Sequence, residues 1–212
     1  MASSARAERL ASEIEDAKLG DIKRRAKEID TDHDLALELW ATGAFSARML
    51  SVLVLDKKRL TQGAIDALAS DIHEHDEEEG GQLADWLLAN QLMKDKTLVS
   101  LVETWDRSPS PVLRRLFWYH QARLRWMGKA PPGNTEVLMS SLEDGMADSE
   151  PLVQWAMNFC AGQIGIHEPA FRARCIELGE QLELYKDEVV PRNCVPSYLP
   201  EFIRIEAAKR ER

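Results

Sequence analysis

The chain has 212 residues, of which 44% are hydrophobic and 30% charged, and its formal net charge is −9. This apolar content is sufficient for a folded core, so global disorder is excluded, and the length suits a single domain. The acidic balance argues against a general nucleic-acid binder, because affinity for phosphates comes from Lys and Arg. A local positive face on an acidic protein stays open.

The sequence also indicates where the protein works. No apolar run approaches the roughly 18 residues that a membrane span needs, and the N-terminal MASSARAERL has no hydrophobic signal-peptide centre. Cys160, Cys175 and Cys194 are odd in number and widely spaced, which does not indicate a disulfide framework. We therefore expect a cytoplasmic protein without a membrane partner, with Cys160 and Cys175 as small core residues. Cys194 lies between prolines and near Arg192, and we expect packing rather than nucleophilic catalysis as its role.

Apolar residues recur at helical spacing along most of the chain, as at Leu83, Leu87 and Leu88. Strand-like alternation is almost absent, and the turn pairs typical of β-hairpins are missing between the apolar runs. The pattern predicts an all-α protein with nine to eleven helices.

Four short breaks divide this helical pattern. They lie near Gly43, near Gly80-Gly81, at Ser108–Pro111 and at Asp148–Pro151. An amphipathic segment precedes each break and another follows it, at intervals of roughly 30 to 40 residues. Helix pairs at that period are typical of an α-α superhelix of the HEAT or armadillo type, whose pairs bury their apolar faces against neighbouring pairs.

These breaks predict one HEAT-like repeat domain over residues 1–212. We expect N-terminal helices in residues 1–30, the repeat helix pairs in residues 31–182, and a proline-rich C-terminal cap with a short helix in residues 183–212, because proline prevents helix formation in the cap.

The helix predicted to follow Ser108–Pro111 carries arginines and aromatic residues on two faces. At about 100° per residue, its core face comprises Leu113, Leu116, Phe117, His120, Leu124 and Met127. A second face comprises Arg115, Tyr119 and Trp126, and a third comprises Arg114, Trp118, Gln121 and Arg125. A merely solvated face would favour Glu and Lys. The two faces therefore either bind a ligand or lie buried between helices, with arginines that stack on aromatic rings and pair with acids.

Four stretches carry a more specific signal through their order and spacing. They are LALELWATGAFSARMLSVLVLDKKRLT (35–61), LADWLLANQL (83–92), ETWDRSPSPVLRRLFWYHQARL (103–124) and the segment from EPLVQW to LPEF (150–202). Together they resemble the DNA alkylation repair protein family, the HEAT-like-repeat proteins that include AlkD-like alkylpurine DNA glycosylases. The resemblance covers about residues 30–212, and the chain looks like a divergent member.

The resemblance implies an all-α fold that holds alkylated double-stranded DNA on a concave face and excises N3- or N7-alkylpurines. The glycosylases of the family use a tryptophan, an aspartate and an arginine. The aspartate corresponds to Asp85 and the arginine to Arg115, whereas Gly81 stands where the tryptophan is expected. We therefore predict Asp85 and Arg115 as catalytic residues. The predicted DNA-binding residues are Tyr119, Trp126, Trp86, Trp155 and Arg114.

This chemistry has a physical basis. Alkylation makes the base cationic and a good leaving group, so a nearby carboxylate needs only to stabilise the developing positive charge on the sugar. An aromatic face attracts the cationic base, and an arginine binds a backbone phosphate. Each residue also has a structural interpretation: Asp85 as a helix cap after a Gly80-Gly81 turn, and Arg115 as the partner of an acid on a neighbouring helix, such as Asp85.

Other candidate residues have a structural interpretation beside a functional one. The spacing of His73, His75 and Asp76 suits a solvated loop better than a metal site, and we expect no metal and no cofactor. The basic runs Lys23-Arg24-Arg25 and Lys57-Lys58-Arg59 either contact phosphate or complement helix dipoles.

Two functions therefore remain open. The first is a repair protein that binds alkylated DNA. The second is a non-catalytic scaffold that kept the fold and binds a protein partner or another ligand, which the net charge and Gly81 favour.

Overall fold

The computed structural model describes residues 3–127 and 130–210. This part of the chain forms twelve α-helices: α1 (Ala5–Glu13), α2 (Leu19–Ile29), α3 (His33–Ala41), α4 (Phe45–Val54), α5 (Gln62–His73), α6 (Glu77–Asn90), α7 (Lys96–Val102), α8 (Pro111–Trp126), α9 (Thr135–Gly145), α10 (Pro151–His167), α11 (Arg172–Leu182) and α12 (Leu199–Arg210). Three single-turn 3-10 helices lie at Lys57–Arg59, Leu92–Lys94 and Trp105–Arg107. The predicted all-α class is confirmed, with one helix more than the expected range.

Side-chain caps explain where many of these helices begin. The Oγ of Ser4 accepts a hydrogen bond from the backbone N–H of Ala7 at the start of α1. The carboxylate of Asp32 does the same for α3, and that of Asp76 for α6. Such a cap satisfies an N–H group that has no partner inside the helix and stabilises it by about 1 kcal/mol.

The expected turn at Gly80-Gly81 is wrong, because α6 begins at Glu77 and runs through both glycines. Asp76 caps this helix, and three acids in its first turn complement the helix dipole. A Cβ at position 80 would lie 3.1 Å from the backbone oxygen of Ile72, so Gly80 allows α6 to approach the end of α5 closely. Gly43, by contrast, has a φ of 75° and does form the turn between α3 and α4.

The described residues fall into two compact units, Met1–Leu113 and Arg114–Arg212. In the first unit α4 is central and packs against α2, α3 and α6. Its side chains Leu50 and Val52 are fully buried, as is Leu39 on α3. The interpretation of residues 1–212 as one domain stays a prediction.

In the second unit α10 packs against α9, α11 and α12. Glycines on α10 and α11 face the C-terminal helix α12. A Cβ at Gly162 would lie 2.5 Å from ring carbons of Phe202, and a Cβ at Gly165 would lie 2.6 Å from Ile203 Cδ1. The absence of side chains at these positions therefore lets α12 approach α10 closely.

The cysteines divide into two kinds. Cys160 and Cys175 are buried, as expected, and burial raises the pKa of each thiol to about 12. Cys194 is exposed in the segment between α11 and α12, so its expected packing is wrong. Its neighbours Asn193 and Val195 also lie outside any helix. Within the described residues, no helix is both long and apolar enough to cross a membrane.

Candidate functional site

Four aromatic side chains gather in the second unit. Tyr119 and Trp126 come from α8, and Trp155 and Phe159 from α10; we call these four residues the aromatic cluster. Residues four or seven positions apart lie on one face of a helix, which is why each helix contributes a pair. The ring centroids of Trp155 and Phe159 are 5.3 Å apart at an interplanar angle of 16°, and Tyr119 stacks on Phe159 at 5.5 Å.

The aromatic cluster reaches the surface. Trp126 is 37% exposed, and the other three rings are half-buried. The Trp126 ring meets Tyr119 and Phe159 at nearly right angles, with centroids 5.7 and 5.5 Å away. Single aromatic side chains are often partly exposed, but four that adjoin one another at the surface form a contiguous apolar patch, and such a patch is a candidate binding surface.

Arginines border the aromatic cluster at two places. The guanidinium carbon of Arg115 lies 4.6 Å from the ring centroid of Trp155, and that of Arg123 lies 5.5 Å from Trp126. Arg115 is buried and donates a hydrogen bond from Nη1 to the backbone oxygen of Leu152 at 3.0 Å. The structure thus brings together four predicted site residues, Arg115, Tyr119, Trp126 and Trp155, and their role in binding stays a prediction.

The third predicted face of α8 is mostly buried, and the binding role predicted for Arg114 stays a prediction. Trp118, Gln121 and Arg125 are all buried. Arg114, the remaining residue of that face, forms an ion pair with the carboxylate of Glu150. Met127 was expected on the core face and is 57% exposed, because α8 ends at Trp126 and the helical periodicity stops there.

Arg125 organises a buried polar network in the second unit. Its Nε donates to Glu168 Oε1 at 2.7 Å and its Nη2 to Thr135 Oγ1 at 3.0 Å. Thr135 Oγ1 in turn donates to Glu168 Oε2 at 2.7 Å. A buried charge needs such partners to offset its desolvation. The network ties α8, α9 and the end of α10 together and so fixes the two helices that carry the aromatic cluster.

Asp85 and Trp86 lie in the first unit, half-buried on α6. The indole Nε1 of Trp86 donates to the backbone oxygen of Met49 at 3.0 Å, and the ammonium of Lys23 lies 5.1 Å from the centroid of its ring. Gly81, one turn before Asp85, is buried. The predicted pairing of Asp85 with Arg115 stays a prediction.

The expected solvated loop is wrong for two of the three residues weighed as metal ligands, because His73 is the last residue of α5 and His75 is held by other side chains. His75 Nδ1 lies 2.7 Å from Glu79 Oε2, and its Nε2 accepts from Arg48 Nη1 at 2.7 Å. Across residues 3–127 and 130–210, no three His, Cys, Asp or Glu side chains are grouped as a metal ion requires.

Sequence reasoning missed one residue, Phe159, and one contact, that of Lys23 with Trp86. Phe159 lies at the centre of the aromatic cluster, where it contacts the other three rings and, at 6.1 Å, Phe202 of α12. Its spacing of four residues from Trp155 indicates that the two rings share a face of α10, but not that this face reaches the surface. The contact of Lys23 with Trp86 joins residues far apart in the chain, and no local pattern indicates it.

Comparisons with known proteins agree with this fold. A family model described as DNA alkylation repair enzyme matches residues 14–193. A solved structure from what is described as a new family of proteins related to the HEAT-like repeat DNA glycosylases, with affinity for branched DNA structures, superposes with a TM-score of 0.67. The match covers 98% of this chain and 90% of the other at 17% identity, which shows a common fold. No curated protein matches the chain. Because the family model spans most of its length, the chain belongs to the DNA alkylation repair enzyme family.

Proposed function

We propose that this protein binds DNA in which bases are exposed from the helical stack, as at a branch or an alkylated lesion, and that the aromatic cluster contacts those bases. The observation that carries the proposal is the partly exposed group of four rings bordered by Arg115 and Arg123. Stacking of a base on an aromatic side chain contributes about 1–3 kcal/mol and tolerates any base, because every base has a π face.

The charges around the aromatic cluster suit a nucleic acid despite the acidic composition. The chain as a whole carries a net charge of −9, but the side chains stacked on this cluster are arginines. A guanidinium can stack on an aromatic ring and also donate hydrogen bonds to a phosphate, and Arg123 is the half-buried one of the two, whereas Arg115 is buried. A local positive potential on an acidic protein is sufficient to attract a backbone.

The catalytic part of the proposal assigns the carboxylate to Asp85. A half-buried carboxylate on α6 has the chemistry to stabilise positive charge on a deoxyribose as the bond to a cationic N3- or N7-alkylpurine breaks. Gly81 provides no side chain one turn earlier, and Trp86 is the aromatic residue that neighbours Asp85 on α6.

Release of N3- or N7-methylpurine from alkylated duplex DNA tests the enzymatic claim. We expect release by the wild type and a loss of about 100-fold or more in Asp85→Asn, which keeps the shape of the side chain but removes its charge. Arg115→Ala should reduce release as well. If the protein releases no methylpurine but binds DNA in a salt-dependent manner, the enzymatic activity is rejected and the DNA-binding function stands. Absence of both would reject the proposed function.

One observation favours a second, non-catalytic function. Gly81 is buried inside α6, so the position expected to supply an aromatic side chain supplies none. A scaffold that binds a partner through the same fold would show equal behaviour of the wild type and Asp85→Asn in every DNA assay.

A further inference from the structure

In the two short basic runs of the sequence, the arginines and the lysines differ in their contacts. The arginines are paired with acids: Arg24 with Asp21, Arg25 with Glu13 and Glu28, and Arg59 with Asp34. An arginine held by carboxylates is partly neutralised and less available to a phosphate. The lysines of these runs, Lys23, Lys57 and Lys58, form no ion pair with any residue in the described part of the chain.

Lys23 is the only one of these lysines that another side chain positions, as far as residues 3–127 and 130–210 are concerned. Its ammonium lies 5.1 Å from the centroid of the Trp86 ring, and that indole is fixed by the hydrogen bond from its Nε1 to Met49. A cation–π contact restricts the lysine but leaves its N–H donors available. An exposed lysine held in this way loses less conformational entropy when it binds an anion.

Lys27 lies one turn after Lys23 on the same face of α2, and both are exposed. Within the described residues Lys27 also has no acidic partner. The two positions are about 6 Å apart along the helix axis. That spacing corresponds to one or two nucleotides at about 3.4 Å of rise per strand.

We infer that Lys23 and Lys27 bind adjacent phosphates of a DNA backbone, as a two-point contact beside Trp86 and Asp85. The inference rests on the proposed function, because the backbone that the two lysines contact is that of a bound DNA. The phosphodiester backbone is the ligand, so the contact carries no base specificity.

The salt dependence of DNA affinity tests this contact. The dissociation constant for a fluorescent four-way junction is measured by anisotropy between about 50 and 200 mM KCl, since each phosphate contact contributes about 0.9 to the slope of log K against log salt. The variants are Lys23→Ala with Lys27→Ala, Lys23→Arg with Lys27→Arg, and the control Lys57→Ala with Lys58→Ala. The control removes the same charge from the other basic run.

We expect the Lys23 and Lys27 alanine variant to have a slope shallower by about 1.8, so that the wild type loses about tenfold more affinity over this salt range. The arginine variant should keep the wild-type slope, and so should the control. A wild-type slope in the alanine variant, or an equal reduction in the control, would overturn the inference while leaving the proposed DNA binding intact. If the wild type shows no salt-dependent binding, the proposed function fails and this contact fails with it.

Discussion

The guanidinium of Arg115 lies over the indole of Trp155, with 4.6 Å between its carbon and the ring centroid. The same side chain is 5% exposed and donates to the backbone oxygen of Leu152. One residue therefore joins α8 to the first turn of α10 and completes one end of the aromatic cluster. Both the stability of the second unit and the proposed DNA binding depend on Arg115. A variant at this position therefore has to be measured for stability and for DNA binding.

We predict that Arg115→Ala lowers the free energy of unfolding by about 2–4 kcal/mol, because it removes a buried charged hydrogen bond and a cation–π contact. Urea unfolding followed by circular dichroism measures this change. Arg123→Ala serves as the control, since Arg123 stacks on the more exposed Trp126. An Arg115 variant as stable as the wild type would show that the stacking contributes nothing to the second unit.

We predict that Gly162→Ala destabilises the second unit by about 1–3 kcal/mol, the usual range for overpacking. The added Cβ would lie 2.5 Å from the ring of Phe202, so α12 has to move away from α10. Gly145→Ala on α9 is the matched control, because nothing lies within 4 Å of its Cβ. The control should be neutral or stabilised by up to about 1 kcal/mol through helix propensity. Equal thermal midpoints for the two variants would contradict the close approach of α12.

We predict that Glu168→Ala destabilises the protein by about 3–5 kcal/mol, because it leaves the guanidinium of Arg125 buried without a carboxylate. The Arg125 side chain is 0% exposed in this pair. Glu136→Ala is the control, since Glu136 forms an exposed ion pair with Arg174 and such pairs contribute little. A Glu168 variant that unfolds at the wild-type urea concentration would show that the network has other support.

We predict that stability decreases as the pH falls below about 6.5. Burial lowers the pKa of His167, with Arg210 as the next cause, and burial lowers the pKa of His33, with Arg59 as the next cause. The folded state thus binds fewer protons than the unfolded state. The stability is therefore complete above the ordinary pKa of 6.5 and is lost as the pH falls through the lowered values.

Urea unfolding at pH values from about 7.5 to about 5 measures this dependence. His167→Asn should flatten it, because the variant has no proton to take up at this position. His73→Asn is the control, since His73 is exposed at the end of α5. If the free energy of unfolding of His167→Asn depends on pH as steeply as that of the wild type, the prediction is contradicted.

The helical class and several helix starts could be predicted because their causes are local. Pro111 and Pro151 begin α8 and α10, and Gly43 forms its turn. The error at Gly80-Gly81 has a physical reason. A glycine favours a turn because its backbone is unusually free, and it favours a close contact between helices because it has no side chain. The sequence alone does not distinguish these two uses.

The candidate site was predictable only in part. The helical periodicity of α8 places Arg115, Tyr119 and Trp126 on one face, and the structure adds Trp155 from α10 to this group. Phe159 was missed because α10 is apolar around most of its circumference, so periodicity does not tell which side reaches the surface. The contact of Lys23 with Trp86 depends on how α2, α4 and α6 pack.

The most direct test of the proposed binding surface is the dissociation constant of Trp126→Ala for four-way junction DNA, measured beside Val137→Ala. Trp126 is the most exposed ring of the aromatic cluster, and Val137 is a 69% exposed apolar residue elsewhere in the second unit. We predict that Trp126→Ala raises the dissociation constant about 5- to 150-fold, the equivalent of one stacked base. Val137→Ala should match the wild type in affinity, and urea unfolding should show that both variants are fully folded under the assay conditions. An unchanged dissociation constant in a correctly folded Trp126→Ala protein would contradict the assignment of the aromatic cluster as the DNA-binding surface.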